Sequence, residues 1–296
     1  MNIQSMSICV PASMCFNNCR YCCSKMHGND YPNIYNDNEK FHLFVKAMKN
    51  ALQFARENGC NTIILTGNNE PQQDLNFLKI FSLVNRSLDR PFLNIEIQTS
   101  GAFLSVDKIR FLRDTVGVTT VAVSTSCLDD KNANLDIVRS KDKDLILHRI
   151  FKDVKAEGLN LRVCLNMNDN IILHDTSVEY LLDFCKNIAK ADQVTVRKLW
   201  SSDENNAEEK AWINANVTKK TDDLIEKIKE FLHGPESRLL RKLEFGANQY
   251  DFHDMSVVID EDSMAQNADN NAIKYLIFRP DGHLYSRWDS KASRIF

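Results

Sequence analysis

Hydrophobic positions recur with two different periods along the first two hundred residues. Short apolar runs read as strands over 5–10 (SMSICV, broken by Pro11), 62–65, 93–98, 118–124, 161–167 and 193–199. Between them lie helical stripes. The helix expected at 41–57 carries Phe44, Met48, Ala51, Leu52 and Ala55, and Gly59 ends it. A second helix at 74–88 places Phe77, Ile80, Phe81 and Val84 on one face. Further helices are expected near 106–115, at 143–156 (Ile146, Ile150, Val154, stopped by Gly158) and at 177–190 (Val178, Leu181, Leu182, Cys185, Ile188, Ala189). Segment 26–39 is rich in turn formers and reads as a loop. Six strands alternating with helices of crossover length predict an α/β fold with a parallel sheet. Periodicity does not separate a flat doubly wound sheet from a curved partial barrel.

After residue 200 the pattern changes. Residues 201–219 read as a polar connection or a short exposed helix, and 221–232 as an amphipathic helix with Leu224, Ile225, Ile228, Phe231 and Leu232 apolar. Tyr275–Phe278 and His283–Tyr285 flank the turn former Pro280-Asp281-Gly282, which predicts a hairpin. The expected division is a core over 1–200 and a C-terminal α+β extension over 201–296, packed near the open side of the core or forming a small separate domain.

Composition narrows the class. The chain has 296 residues, 43% of them hydrophobic, enough for a sizeable core, and a net charge of −3 that offers no overall basic field to nucleic acid or anionic membrane. Its nine cysteines suit a reducing compartment, and neither an N-terminal apolar leader nor a membrane-length apolar run is present. The expectation is a cytoplasmic protein with no membrane association.

Three of those cysteines stand together in Cys15-Phe16-Asn17-Asn18-Cys19-Arg20-Tyr21-Cys22, a C-x3-C-x2-C run with an aromatic before the last. Three thiolates at this spacing reach three corners of one [4Fe–4S] cube and leave the fourth iron open, whereas an electron-transfer cluster takes four cysteines. The alternative is a zinc site in which Cys15, Cys19 and Cys22 are joined by Cys23, Cys9 or His27. The run resembles the motif of the radical S-adenosylmethionine (SAM) enzymes, C-x3-C-x-aromatic-C near the N-terminus. That resemblance implies a (β/α)6 partial TIM barrel with the cysteine loop after the first strand. It also implies two cofactors, a [4Fe–4S] cluster on Cys15, Cys19 and Cys22, and SAM.

A second match is Thr66-Gly67-Asn68-Asn69-Glu70-Pro71 after the second strand. It is similar to the Ser/Thr-Gly-Asn-Gly-Glu-Pro form found in the family, with Asn69 in the last glycine position. Asn tolerates positive φ better than other non-glycine residues, so the turn is expected to survive. The resemblance implies that Asn68, Asn69 and Glu70 hold the SAM amino group. It also places Ser124 against the SAM carboxylate or ribose, Arg162 and Asn166 on the carboxylate and ribose hydroxyls, and Tyr21 on the adenine. Arg162 and Asn166 are four apart and so share a strand face. Each also reads as an ordinary polar rim residue, and Tyr21 as a core-filling aromatic.

Gln98 and Thr99, at the end of the third strand, are weaker candidates for SAM or substrate contact. Cys127 and Cys164 are candidates to give or deliver a hydrogen atom, though free cysteines are usually buried small hydrophobes. Arg197 and Lys198 end the sixth strand, where they meet either a phosphate or carboxylate or only solvent. Arg287 and Trp288 are similar candidates in the tail.

The implied reaction is reductive cleavage of SAM to a 5′-deoxyadenosyl radical that abstracts hydrogen from a small molecule, modified nucleotide or peptide. The implied electron donor is a protein such as flavodoxin or ferredoxin. No cysteine follows position 185, so the extension offers no cysteine set for an auxiliary cluster. Two alternatives stand beside this reading: an activating enzyme for a protein partner of the glycyl-radical type, and a zinc-stabilised α/β binding protein.

Overall fold

The computed structural model describes residues 2–12, 14–30, 34–202, 205–243, 245–261 and 272–296. The elements run β1 (Asn2–Cys9), α1 (Asn38–Glu57), β2 (Thr62–Thr66), α2 (Leu75–Arg86), β3 (Asn94–Thr99), α3 (Val106–Phe111), β4 (Thr120–Thr125), α4 (Lys131–Val138), α5 (Leu147–Ala156), β5 (Asn160–Met167), α6 (Val178–Asp183) and β6 (Gln193–Lys198). Then follow α7 (Ala207–Asn216), α8 (Lys219–Leu232), β7 (Ser237–Lys242), β8 (Asn248–Phe252), β9 (Met255–Asp260), β10 (Ala272–Phe278) and β11 (Leu284–Tyr285).

Local chemistry starts the helices where the stripes begin. Asp37 caps α1 by accepting from the Lys40 amide (3.1 Å), and Asp74 caps α2 by accepting from Phe77 (2.9 Å). The α1 stripe Phe44, Met48, Ala51, Leu52 and Ala55 is buried throughout. Each large side chain in such a layer contributes roughly 1.5–3 kcal/mol by leaving water. Strand alternation decides the other side. On β6, Val194 and Val196 join the hydrophobic core, whereas Gln193, Thr195 and Arg197 turn to an internal cavity.

The strand order is β11-β10-β1-β2-β3-β4-β5-β6-β9-β8-β7. From β10 through β9 every neighbouring pair is parallel, and the flanking β11, β8 and β7 are antiparallel. The result is a partial barrel of the TIM type, unclosed as a hydrogen-bonded sheet. Strands β9 and β10 extend the six expected parallel strands at both edges. Lys274 Nζ on β10 lies 3.1 Å from Asp260 Oδ1 on β9, an ion pair that bridges the two ends.

Several expectations need correction. The helix expected from 143 starts at Leu147: Ile146 is its N-cap, 42% exposed, and packs on nothing at that helix's core face. The helices near 106–115 and 177–190 are each split, their last turns relaxing into π-turns at Leu112–Val116 and Phe184–Ile188. Segment 201–219 does contain a helix, but its Glu209 and Ile213 are buried rather than exposed. Periodicity missed α4, β7, β8 and β9. Two-turn α4 is too short for a stripe, and β7 presents a mostly exposed face, so neither shows a hydrophobic period. The hairpin at the end is present, with Ile277 opposite Tyr285 and Phe278 opposite Leu284.

Candidate active site

The cysteine loop leaves β1 at the C-terminal ends of the parallel strands, where sites in such folds gather. Its backbone is pinned from several sides. Asn18 and Arg20 donate amides to Val138 O (3.2 Å) and Ile137 O (3.1 Å) at the end of α4, and Lys141 donates to Phe16 O (2.9 Å). Gln73 accepts from the Phe16 amide (2.9 Å) and donates to Met14 O (2.8 Å). Lys25 Nζ donates to Cys19 O (2.7 Å) and pairs at 3.3 Å with the buried Glu209 of α7, tying the loop to the extension.

Cys15, Cys19 and Cys22 all line one cavity of about 420 Å³. Burial and then the Glu70 carboxylate push the Cys15 thiol up to about 12; Cys19 is raised by burial and by the other two cysteines. The three sulfurs are therefore within electrostatic reach of one another. Among the described residues no group of three or more Cys, His, Asp or Glu side chains is drawn together as ligands of a single ion. Of the fourth zinc ligands considered, Cys9 is buried against Tyr275, Ile277 and Tyr285, Cys23 is exposed and lines the same cavity, and the side chain of His27 lies outside the described residues.

The loop after β2 packs directly against the cysteine loop. Gly67 has φ +153°, and a Cβ there would stand 3.0 Å from both Val10 N and Val10 O, so only glycine allows this approach. Asn69 does not take positive φ, contrary to expectation. It substitutes for glycine in another way: its Nδ2 donates to Val10 O and Ala12 O, both at 2.7 Å, clamping the chain that leads into the cysteines. Asn69→Gly is therefore expected to weaken the fold by about 1–2 kcal/mol, read in a denaturant titration, and to speed iron loss. Unchanged stability would remove the clamp from the account.

Glu70 is buried and accepts from Asn17 Nδ2 (2.8 Å), Gln72 Nε2 (3.0 Å), the Ser100 amide (3.1 Å) and the Thr99 hydroxyl. All four donors are neutral, so no cation is among the hydrogen-bond partners of the carboxylate. Nearby, Asn17 Oδ1 and Asn69 Oδ1 are sealed acceptors with no donor. An ammonium group requires such a setting: one anion and further acceptors. The three thiols beside open space likewise fit a cluster that keeps one corner free. The residues present thus fit both cofactors.

The other expected positions divide. Ser124, Arg162, Asn166, Tyr21, Gln98 and Thr99 line the same cavity as the cysteines, Asn69 and Glu70. The Tyr21 hydroxyl lies 2.5 Å from Ser126 Oγ and accepts from Asn166 Nδ2 (2.9 Å), joining the cysteine loop to the ends of β4 and β5. Arg162 sits lower on β5, where Glu96 (2.7 Å) and Gln193 (2.9 Å) occupy its guanidinium. Asn68 stands in the β2 turn but is not among the lining residues. Cys127 is buried beside Asp129 (Sγ–Oδ1 3.6 Å) and Cys164 is buried within β5; neither lines the cavity. Sequence reasoning missed Asn17, Gln72, Gln73, Ser100 and Ser126. The asparagine inside the cysteine run and the glutamines just after Pro71 were the available signals.

The opposite wall comes from β6 and the extension: Trp200, Leu243, Phe245, Tyr275 and Trp288, with Arg197, Lys198 and the Lys274–Asp260 pair. Lys198 is paired with Asp222 of α8, and Arg287 with Asp289 (2.8 Å).

Comparison with known proteins agrees with this geometry. The model of the radical SAM superfamily matches residues 9–185. No curated protein sequence matches the chain. The fold is similar to native anSMEcpe with bound AdoMet (that is, SAM), with a TM-score of 0.63 and 14% identity over 99% of this chain and 77% of that one. The same enzyme with AdoMet and the Cp18Cys peptide gives 0.51 and 14%, over 79% and 60%. Coproporphyrinogen III oxidase (HemN) from Escherichia coli, a radical SAM enzyme, gives 0.55 and 10%, over 94% and 63%. The chain thus spans less than two thirds of the length of the last two, and identities this low speak for the fold alone. No helix among the described residues is long and apolar enough to cross a membrane. A matched segment that holds both the cysteine run and the Glu70 turn, on a partial barrel that collects them at one cavity, makes this chain a member of the radical SAM superfamily, an enzyme that takes a [4Fe–4S] cluster and SAM.

Proposed function

We propose that the protein, with its cluster reduced, cleaves SAM to methionine and a 5′-deoxyadenosyl radical that abstracts a hydrogen atom from a substrate in the cavity. The observation that carries this reading is the meeting of Cys15, Cys19, Cys22 and the cation-free carboxylate of Glu70 on one cavity. In it, Cys15, Cys19 and Cys22 hold the cluster. Glu70 and Asn69, both on the cavity, receive the SAM ammonium, and Asn17 holds the Glu70 carboxylate in place, which fixes the orientation of the bound molecule. Asn166 and Ser124, on the neighbouring strands, face the ribose and carboxylate. Tyr21 is held through its hydroxyl and by its ring against Trp212 (centroids 5.7 Å), and it meets the adenine from the cavity side. Trp200 after β6, with Phe245 and Trp288 of the extension, forms a wall that keeps water from the reacting groups.

The substrate belongs to small molecules, modified nucleotides or peptides, and the electron arrives from a protein such as flavodoxin or ferredoxin. Nine free thiols support a reducing cytoplasmic setting. Anaerobically reconstituted protein is expected to hold iron and sulfide and, with dithionite and SAM, to release 5′-deoxyadenosine. Bound zinc and no product would overturn the proposal.

A further inference from the structure

Arg197 is the side chain this account leaves unused. It is the uppermost inward residue of β6, in register with Asn166 of β5 and Asp260 of β9, and it lines the cavity. Its Nε is sealed from solvent without a hydrogen-bond partner, and its guanidinium makes no ion pair among the described residues. The acids that face it are committed elsewhere: Glu96 to Arg162 at 2.7 Å and Asp260 to Lys274 at 3.1 Å. Cys23 and Cys164 also lie within its electrostatic reach. Burial opposes its charge, but these neighbours keep its pKa above the ordinary arginine value, so it remains a cation.

A partly buried guanidinium with no ion pair among the described residues is disfavoured unless an anion completes it. The same cavity is lined by the aromatic side chains Trp200, Phe245 and Trp288. Arginine binds carboxylate and phosphate through a planar fork of donors. We propose that Arg197 anchors the substrate of this cavity through a carboxylate or phosphate, with the apolar body of the same molecule against Trp200, Phe245 and Trp288. The class is a small organic anion with an apolar or aromatic portion. This rests on the reading of the cavity as the substrate chamber of a radical SAM enzyme.

The test is a ¹⁹F NMR titration of the reconstituted protein, with and without saturating SAM, using 4-fluorophenyl phosphate, 4-fluorobenzoate and neutral 4-fluorobenzyl alcohol. Both anions, or one of them, should bind at least about tenfold more tightly than the alcohol, about 1.4 kcal/mol, and SAM should not displace them. Preference for the phosphate or for the benzoate then identifies the anionic group. Arg197→Gln should remove the preference while binding of the alcohol stays unchanged, and Arg197→Lys should retain part of it. Equal binding of anions and alcohol to the unmodified protein would overturn the proposal, a result that needs no variant to fold. So would displacement by SAM, which would assign Arg197 to the SAM carboxylate, or a preference that survives in Arg197→Gln. Iron content and 5′-deoxyadenosine release, measured on the same samples, report separately on the radical reading.

Discussion

Cys19→Ala is expected to abolish both iron–sulfur incorporation and formation of 5′-deoxyadenosine. On the proposed assignment the loop offers one thiolate to each of three corners, and removing one would leave a cube with two protein ligands. Nothing near Cys19 replaces it. Cys23 also lines the cavity, but it is adjacent to Cys22, on the far side of that ligand from Cys19, and the backbone around Cys19 is held through Val138, Ile137 and Lys25. Iron and sulfide analysis and a product assay check this together. The fold should persist, because the buried layer between sheet and helices does not depend on the loop. Cys23→Ala is expected to keep its iron. A Cys19→Ala protein that still released 5′-deoxyadenosine would sink the ligand assignment.

Glu70→Gln is expected to lose both stability and affinity for SAM. One carboxylate oxygen accepts from Asn17 and Ser100, and the other from Gln72, Thr99 and Ser100. A carboxamide presents an NH₂ to one of those sets, whichever way it turns. The Thr99 hydroxyl is poorly placed to adapt, since it already accepts from Gln72 (2.9 Å) and Gly101 (2.9 Å). Buried donors left without acceptors cost about 1–3 kcal/mol each, so a loss on the order of 2–4 kcal/mol is expected. The negative charge offered to an ammonium disappears as well. SAM affinity should fall at least about tenfold, or 1.4 kcal/mol, in equilibrium dialysis against the reconstituted protein. Unchanged stability would contradict the hydrogen-bond account, and unchanged affinity would contradict the role of the carboxylate.

The strands β1 to β6 and the longer helices were legible because each buries one face, which imposes a period of 2 or 3.6 on the residues themselves. The cysteine run was legible because three ligands for one cluster must be close in the chain when they share one loop. The Glu70 turn was legible only as a motif. Its hydrogen-bond partners Asn17, Thr99 and Ser100 come from the cysteine loop and the end of β3, at separations of 53, 29 and 30 residues, and no local pattern connects them. Asn69 illustrates the limit well: a positive-φ role follows from its type, but a clamp on Val10 and Ala12 follows only from where β1 passes.

Local chemistry alone therefore determined the alternating α/β core and the two candidate motifs, the cysteine run and the Glu70 turn, because each is written in neighbouring residues of the chain. Tertiary structure decided the rest. It placed β9 and β10 on the two edges of the barrel, joined them through Lys274 and Asp260, and supplied an aromatic wall from the extension. It also left Arg197 without an ion pair among the described residues, while Arg162, of the same residue type, is paired with Glu96. Whether a charge is satisfied is set by which side chains folding brings within about 4 Å, and that distance is a property of the packed sheet.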